Sequence, residues 1–476
     1  MRIKRDGNDG WKLGSDYPCK WATPSLIEAP PPPAPPPPPL PPSPAAGSLK
    51  WSFKTGGNVS SAPTLSMDGA TLYLGSDDGT LYAVAAESGA EQWKLNMGGA
   101  LSSSPILSAD GAVVFALSGT NLFAIDAMKG DHKWRFVLSP YYPPSGRPSP
   151  PFPTRLSLAG GTIIIGSSGD TYTMLFAINA STGQESWSLD PSCTYSSPAF
   201  SRDRATMFLA VNDQPYPQPY QPPTPFGVLA LNTTNGKQVW RYTSSCGSPV
   251  SSLGVVSADG ATIFIGFSIC GGTDGTLLSA FDSANGTIKW SINGTDYSIH
   301  SSSVTADGAT LMVLYEHPCL NILVAIDPMS GKQRWRLQEV NVLPTISADG
   351  ATAFVRQSTG CKNGYNMFSI DVKSGTRKWS FKAGDVISSP PALSADGATV
   401  LIGSGDDILY GDVYAVGTTT GAQKWKFETA AVILSWSPFF SVDGMLAFIG
   451  SADGCLHAVE AAPSLGQQTG RAPQVS

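Results

Sequence analysis

From residue 48 onward the chain alternates apolar and polar positions in short bursts. "ATLYLGS" (70–76) and "GTLYAVAAE" (79–87) have the period of two that marks half-buried strands. Ahead of them stands "SSAPTLS" (60–66), and behind them a run ending in tryptophan, "AEQWKL" (90–95). Asp-Gly and Ser-Gly pairs separate the runs, and these residues suit tight hairpin turns because they tolerate positive φ. The pattern predicts an inner strand, a turn, two further strands and an outer strand, all antiparallel.

The same unit recurs. Trp51, Trp93, Trp134, Trp187, Trp240, Trp290, Trp335, Trp379 and Trp425 each close a unit, 41 to 53 residues apart. About 25 residues before most of them comes "SMDG" (66), "SADG" (108, 257, 347, 394), "TADG" (305) or "SVDG" (441), with "SLAGG" (157) and "SRDR" (201) as looser forms. A fixed period of this length signals a repeat architecture, and four strands per repeat read as propeller blades. A lone blade cannot bury both faces, so a closed ring is expected. The last unit has three strands and no tryptophan, whereas "SLKWSFKTGG" (48–57) is a tryptophan strand with no blade before it. Trp51's strand is therefore expected to complete the last blade and remove two open sheet edges. The expectation is an all-β chain with one β-propeller of four-stranded antiparallel blades over 47–461. A disordered segment (1–28), a polyproline linker (29–46) and a disordered tail (462–476) flank it.

"GTLYAVAAESGAEQW", "NLFAIDAMKGDHKW", "MLFAINASTGQESW", "GVLALNTTNGKQVW" and "NILVAIDPMSGKQRW" resemble the repeat of the pyrroloquinoline-quinone-type β-propellers, the quinoprotein alcohol dehydrogenase-like superfamily. The resemblance covers 48–460. Nine units are counted; eight blades is what the family implies, with 154–191 or 192–245 as an irregular unit. The resemblance implies two kinds of member. Dehydrogenases use pyrroloquinoline quinone under a vicinal Cys–Cys bridge, on a tryptophan floor, with Ca²⁺ and an Asp base. Other members bind no quinone and include outer-membrane assembly scaffolds and sensor domains. No two of the seven cysteines here are adjacent, so a non-catalytic member with no cofactor is expected. A quinone- or Ca²⁺-dependent oxidoreductase using the central channel is the alternative.

Candidate chemistry is thin. The nine repeat tryptophans read as blade packing, and Trp436 is off register on an inner strand. Asp77 and Asp78, and Asp406, Asp407 and Asp412, put carboxylates in loops between second and third strands; turn chemistry is the reading favoured for them and a weak Ca²⁺ site the alternative. "YEHPC" offers Glu316, His317 and Cys319 without a second cluster at zinc spacing. The four histidines are His132, His300, His317 and His457.

One rim looks elaborated. The loops joining strands two and three, and the blade-to-blade connections, share a rim. "SPYYPPSGRPSPPFP" (139–153) is a connection and "NDQPYPQPYQPPTPF" (212–226) a two–three loop. Tyr141, Tyr142, Phe152, Tyr216, Tyr220 and Phe226 are candidates for a binding face. Cys193, Cys246, Cys270, Cys319 and Cys361 fall on the same rim, with Cys246–Cys270 and Cys319–Cys361 the best-placed disulfides. Asn58, Asn179, Asn232, Asn285 and Asn293 begin N-x-[ST] glycosylation triplets, three of them at three–four turns on the opposite, plain rim.

Composition narrows the rest. The net charge of −6 comes without a basic stripe, which argues against nucleic acid. No apolar run reaches the ~18 residues of a membrane span. No secretory signal is readable at the N-terminus, so either the protein stays inside the cell or its chain starts upstream of Met1. The proline run 29–46 fixes φ and favours polyproline II; some 15 residues make a rod of roughly 45 Å. It reads as a spacer, a wall-associated stalk or a ligand for SH3, WW or profilin-type domains. The function expected is a monomeric scaffold binding a protein or glycan through the Pro-rich rim. It is expected to be extracellular or wall-associated, with a cytoplasmic location as the alternative.

Overall fold

The computed structural model describes residues 45–101, 103–138, 152–168, 175–189, 194–195, 198–212, 226–243, 254–267, 276–294, 298–316, 321–340, 342–359, 362–405, 410–433 and 438–462. The chain divides into two units, 1–42 and 43–476, and every described residue lies in the second.

Nine antiparallel sheets form nine blades in a ring. The first blade runs Thr64–Leu65, Thr71–Gly75, Thr80–Ala85 and Glu91–Asn96 from the axis outward. The ninth is made of Phe439–Phe440, Leu446–Gly450, Cys455–Glu460 and, as its outer strand, Leu49–Lys54 from the other end of the chain. Trp51 pairs with Ala458 in that sheet. The expected clasp is thus present, and nine rather than eight is the blade number. The two stretches of which one or the other reads as irregular, 154–191 and 192–245, each contribute a blade; the second carries its inner strand in two pieces, Thr194–Tyr195 and Ala199–Phe200. No described residue is helical, and no helix is long and apolar enough to cross a membrane.

The turn between first and second strands is built by side chains. Ser66 Oγ donates to Asp68 Oδ1 (2.5 Å) and accepts from the Thr71 N–H, while Asp68 Oδ1 also accepts from the Ala70 N–H. Gly69 supplies the left-handed φ of 73°. The hydroxyl–carboxylate bond recurs at 108/110, 201/203, 257/259, 305/307, 347/349, 394/396 and 441/443. In "SRDR" the glycine position is taken by Arg204 at φ 57°, a conformation that costs an L-residue about 1–2 kcal/mol.

The third–fourth turn does a second job. Each repeat tryptophan donates its indole N–H to a carbonyl of the next blade: Trp51 to Ala86, Trp93 to Ala127, Trp134 to Ala180, Trp187 to Thr233, Trp240 to Ser283, Trp290 to Pro328, Trp335 to Val372, Trp379 to Thr418 and Trp425 to Ala461, at 2.7–3.2 Å. The six-membered part of the indole lies against that turn's glycine. A Cβ on Gly183 would sit 2.5 Å from the ring of Trp134, so glycine is needed there for space as well as for φ.

Nine apolar layers fill the gaps between consecutive blades. In the layer joining ninth and first blades, Trp51, Phe448, Leu456 and Ala458 meet Leu72, Leu74, Tyr82 and Val84. Alternation feeds both neighbours, because successive side chains of a strand point to opposite faces of the sheet. The second and third strands are buried on both faces, which explains their long apolar runs.

Candidate functional site

The two rims differ in backbone length. In the first, second, fifth, seventh, eighth and ninth blades the innermost strand is a two-residue pairing at the plain-rim end, such as Ile106–Leu107, with a single further bridge toward the other rim in the seventh (Val340–Gln357), eighth (Ile387–Ser404) and ninth (Ile433–Ser451). In the third it extends over Phe152–Ala159 and in the sixth over Ser298–Val304. In the fourth an added piece pairs Thr194 with Asn212 and Tyr195 with Val211. In the seventh, Thr352–Thr359 and Lys362–Asp371 prolong the hairpin until Thr359 faces Lys362. All four extensions run toward the rim of the two–three loops. They fall within an arc from the third to the seventh blade.

The binding-face candidates meet this rim at its strand ends. Phe152 and Phe226 were assigned to loops from the sequence. Both begin strands instead, Phe152–Ala159 and Phe226–Asn232, paired with Ser168 and Asn212. Pairing with a neighbouring strand overrides the loop reading that the flanking prolines suggested. Tyr141, Tyr142, Tyr216 and Tyr220 lie outside the described residues. So do Cys193, Cys246, Cys270, Cys319 and Cys361, together with His317 and Trp436.

On the plain rim, Asn179 Oδ1 accepts from the N–H groups of Ser181 and Thr182, and Asn232 Oδ1 from those of Thr234 and Asn235. Asp126, Asp282 and Asp327 fill the same place in other blades. Asn285 sits two residues after the turn begins and accepts from the Thr287 N–H. Asn58, Asn179, Asn285 and Asn293 are exposed; Asn232 is half-buried.

The carboxylates considered for Ca²⁺ are otherwise engaged. Asp78 accepts from the Gly56 N–H (2.8 Å), the Thr80 N–H (2.7 Å) and the Tyr82 hydroxyl (2.7 Å). Burial pushes its carboxyl upward, but the Tyr82, Thr80 and Gly56 hydrogen bonds hold it below the usual range. Asp77 accepts from Ser60. Asp412 accepts from the Tyr414 hydroxyl at 3.1 Å and pairs with Lys426 at 3.1 Å. Glu428 chiefly, against an opposing effect of burial, and then Asp412 raise the Lys426 ammonium above an ordinary lysine. Lys426 thus pairs with the carboxylate that a calcium ion on Asp412 would use; Asp406 and Asp407 lie outside the described residues.

Two features escaped the sequence reading. At the plain-rim end of the channel, a cleft of about 600 Å³ opens between the inner strands of the second to fourth blades. A cleft of about 580 Å³ continues it to the sixth. Phe200 borders both, with Leu107 and Leu158 on one side and Val256 and Val304 on the other. The Arg204 guanidinium lies 6.0 Å from the Phe200 ring centre and donates to the Leu158 carbonyl. In sequence these positions are single apolar residues before each turn, and nothing in one repeat tells that they line a common opening. The second feature is Arg356, 8% exposed on the second strand of the seventh blade. Its Nη1 donates to the carbonyls of Ile387 and Ser388 at 3.1 Å and its Nε has no partner. Burial holds its pKa below the ordinary arginine value.

The family model described as outer membrane protein assembly factor BamB matches residues 42–192, 147–293 and 273–432. A serine/threonine-protein kinase AfsK of Streptomyces griseus is 26% identical over 166 residues, 33% of this chain; the match spans a fifth of that kinase's length. Among solved structures, BamB from Moraxella catarrhalis aligns with a TM-score of 0.50 at 14% identity, covering 87% of this chain and 99% of that one. Quinohemoprotein alcohol dehydrogenase ADHIIG from Pseudomonas putida HK5 gives 0.52 at 14%, covering 90% and 78%. Saccharomyces cerevisiae Sqt1 gives 0.54 at 10%, covering 88% and 100%. At these identities the structural likenesses speak for the fold alone. The repeat motif, the ring of nine blades and the family match over most of the chain together identify it: the chain belongs to the BamB family of pyrroloquinoline-quinone-like repeat β-propellers.

Proposed function

We propose that this propeller is a binding scaffold that holds a protein or glycan on the rim of its two–three loops, between the third and seventh blades. The observation that carries the reading is the lengthening of strands toward that rim in the third, fourth, sixth and seventh blades, while the other rim keeps one turn design in eight blades of nine. Strand extensions make a rigid base for the loops they carry, and rigid scaffolds with variable loops are a common way to build a recognition surface. The Pro-rich stretch 139–151 leads into the third blade's inner strand, and 213–225 joins the second and third strands of the fourth blade. The family description, an assembly factor, agrees in kind with protein binding.

In this reading the chain is monomeric and works in an oxidising, extracellular or wall-associated setting, and the proline segment 29–46 is a spacer. The exposure of Asn58, Asn179, Asn285 and Asn293 supports access to glycosylation. Peptide mapping of protein from its native source reads both glycans and disulfides; bare asparagines and free thiols throughout overturn the compartment.

The rim itself is tested by replacing 139–151 and 213–225 with short Gly-Ser linkers. Binding is then compared on a glycan array and against cross-linked protein ligands from the native source. Ligands lost with the loops support the rim; ligands retained by the double replacement exclude it. The competing reading, a quinone oxidoreductase, is tested by adding pyrroloquinoline quinone and Ca²⁺ and assaying dye-linked alcohol oxidation. Turnover would replace the scaffold reading.

A further inference from the structure

The ninth blade, which joins the two ends of the propeller, carries three different metal-ligating side chains at one point. Cys455 and His457 are the first and third residues of its third strand, so period two puts them on one face. Gly454, at φ 80°, folds the chain so that Asp453 comes over the same face. The Asp453 carboxylate, the Cys455 thiol and a ring nitrogen of His457 lie within 4.8 Å of one another. All three residues are half-buried.

The surroundings leave the His457 ring unsatisfied. His457 Nδ1 lies 2.7 Å from the Ser52 hydroxyl on the paired strand. His457 Nε2 is buried and has no partner among the described residues. If Nδ1–H donates to Ser52, the Nε2 lone pair is left bare; if Ser52 donates, an N–H is stranded instead. Asp453 Oδ1 accepts from the Cys455 N–H, the Ser451 hydroxyl and the Cys455 thiol are further hydrogen-bonding neighbours of the carboxylate, and it makes no ion pair among the described residues. Lys54 reaches the Asp453 carbonyl rather than its carboxylate. Phe427 of the eighth blade stands 5.7 Å from the His457 ring and limits water on that side.

We propose that Asp453, Cys455 and His457 bind one divalent transition-metal ion of the zinc type, with a water in the fourth position. Thiolate, imidazole and carboxylate are the donor types zinc takes, at about 2.0–2.3 Å each, so tetrahedral ligand atoms stand roughly 3.6 Å apart. The group therefore needs to draw in by about 1 Å, which side-chain rotation supplies on a fixed strand. Binding replaces the thiol proton with the metal and releases that proton to solvent. The ion binds the folded ring and couples the C-terminal strand to the N-terminal one, because Ser52, which orients His457, belongs to the closing strand. The site is thus a metal clip on ring closure, independent of what the rim binds.

The experiment uses the full chain, stripped with chelator and titrated with Co²⁺ and Zn²⁺. One Co²⁺ per chain is expected, with a thiolate-to-cobalt charge-transfer band that Zn²⁺ abolishes, and Zn²⁺ should raise the melting temperature. Cys455→Ser removes the band, and Cys455→Ser and His457→Gln each weaken Zn²⁺ at least about tenfold. Far-ultraviolet dichroism and the metal-free melting temperature establish that both variants fold. The site is overturned by a titration without a band. It is equally overturned by a band that persists in Cys455→Ser, since the metal then sits on other cysteines.

Discussion

Gly47 lies under the indole of Trp425, and in doing so it stands in for a turn that the ninth blade does not have. In other blades a glycine four residues before the tryptophan occupies the third–fourth turn, as Gly375 does before Trp379 and under Trp335. In the ninth blade that turn is cut, because the outer strand comes from the other end of the chain. Gly47, four residues before Trp51, keeps the left-handed φ at 89°. Its N–H donates to Glu460 at 2.7 Å, as Gly375 donates to Asp371 at 2.8 Å; the Glu460 N–H donates to Ser48 as that of Asp371 does to Thr376. Even the ion pair is kept: Lys50–Glu460 at 3.7 Å matches Lys378–Asp371 at 3.8 Å.

Gly47→Ala should therefore destabilise more than its backbone strain alone. A Cβ there would meet Trp425 at 2.8 Å, whereas Gly98, with φ 84°, has nothing within 4 Å. Gly98→Ala should cost about 1 kcal/mol and Gly47→Ala clearly more. Equal shifts in urea midpoint would show that the indole gives way freely.

The split turn also predicts a viable circular permutant. In the seventh blade two residues, Lys373 and Ser374, lie between the counterparts of Ala461 and Gly47. Linking Ala461 to Gly47 through Lys-Ser, and opening the chain between Met128 and Lys129, moves the cut from the ninth blade to the second. The permutant should melt cooperatively within a few degrees of the parent propeller. Failure to fold would mean that closure depends on something other than the local turn.

Trp335→Phe keeps most of the ring but removes the N–H that reaches Val372 at 2.9 Å. The expected loss is about 1–2 kcal/mol, the net value of a hydrogen bond plus the smaller side chain. An unchanged urea midpoint would assign the tryptophan's role to packing alone.

Acid should loosen the ring by a definite route. Arg334 chiefly, with Ser330, holds the Asp327 carboxyl down at about 2, and in the eight first–second turns that carry an aspartate the turn's serine or threonine lowers it too. A carboxylate depressed in the folded state contributes stability that is complete above its unfolded value near 4 and is lost as pH falls through the folded one. The melting temperature should thus hold down to about pH 4 and fall between about pH 4 and 2. Asp327→Asn should lower it at pH 7 and make little difference at pH 2; the same deficit at both values would sever the effect from ionisation.

What could be read in advance divides along the repeat. The strand order and the turns were legible because the repeat states them again and again, and the clasp because "SLKWSFKTGG" shares "KWSFK" with "TRKWSFKAGD". The long inner strand Ser298–Val304 was not, since "SIHSSSV" carries a run of serines and little apolar alternation. The Asp453, Cys455 and His457 group was hidden inside a well-formed repeat, where "ADGCLHAVE" read as one more third strand. Its signal was the two-residue spacing of three ligand types. The clefts beside Phe200 depend on packing between blades, which no single repeat encodes.

The cut within the ninth blade also sets how the ring answers to tension. Leu49–Lys54 and Cys455–Glu460 are antiparallel, and Gly47 meets Glu460, so both chain ends leave from the same end of one strand pair. A pull between the termini loads that pair as a zipper rather than in shear. Its rungs break singly, from Leu49–Val459 toward Lys54–Cys455, and the ring opens at low force. A pull through two blades away from the cut meets whole sheets instead. Single-molecule stretching from the termini and from cysteines placed in two other blades would read the two thresholds, and equal thresholds would refute the zipper. Whatever this propeller is tethered to, its two ends are the seam along which load would open it.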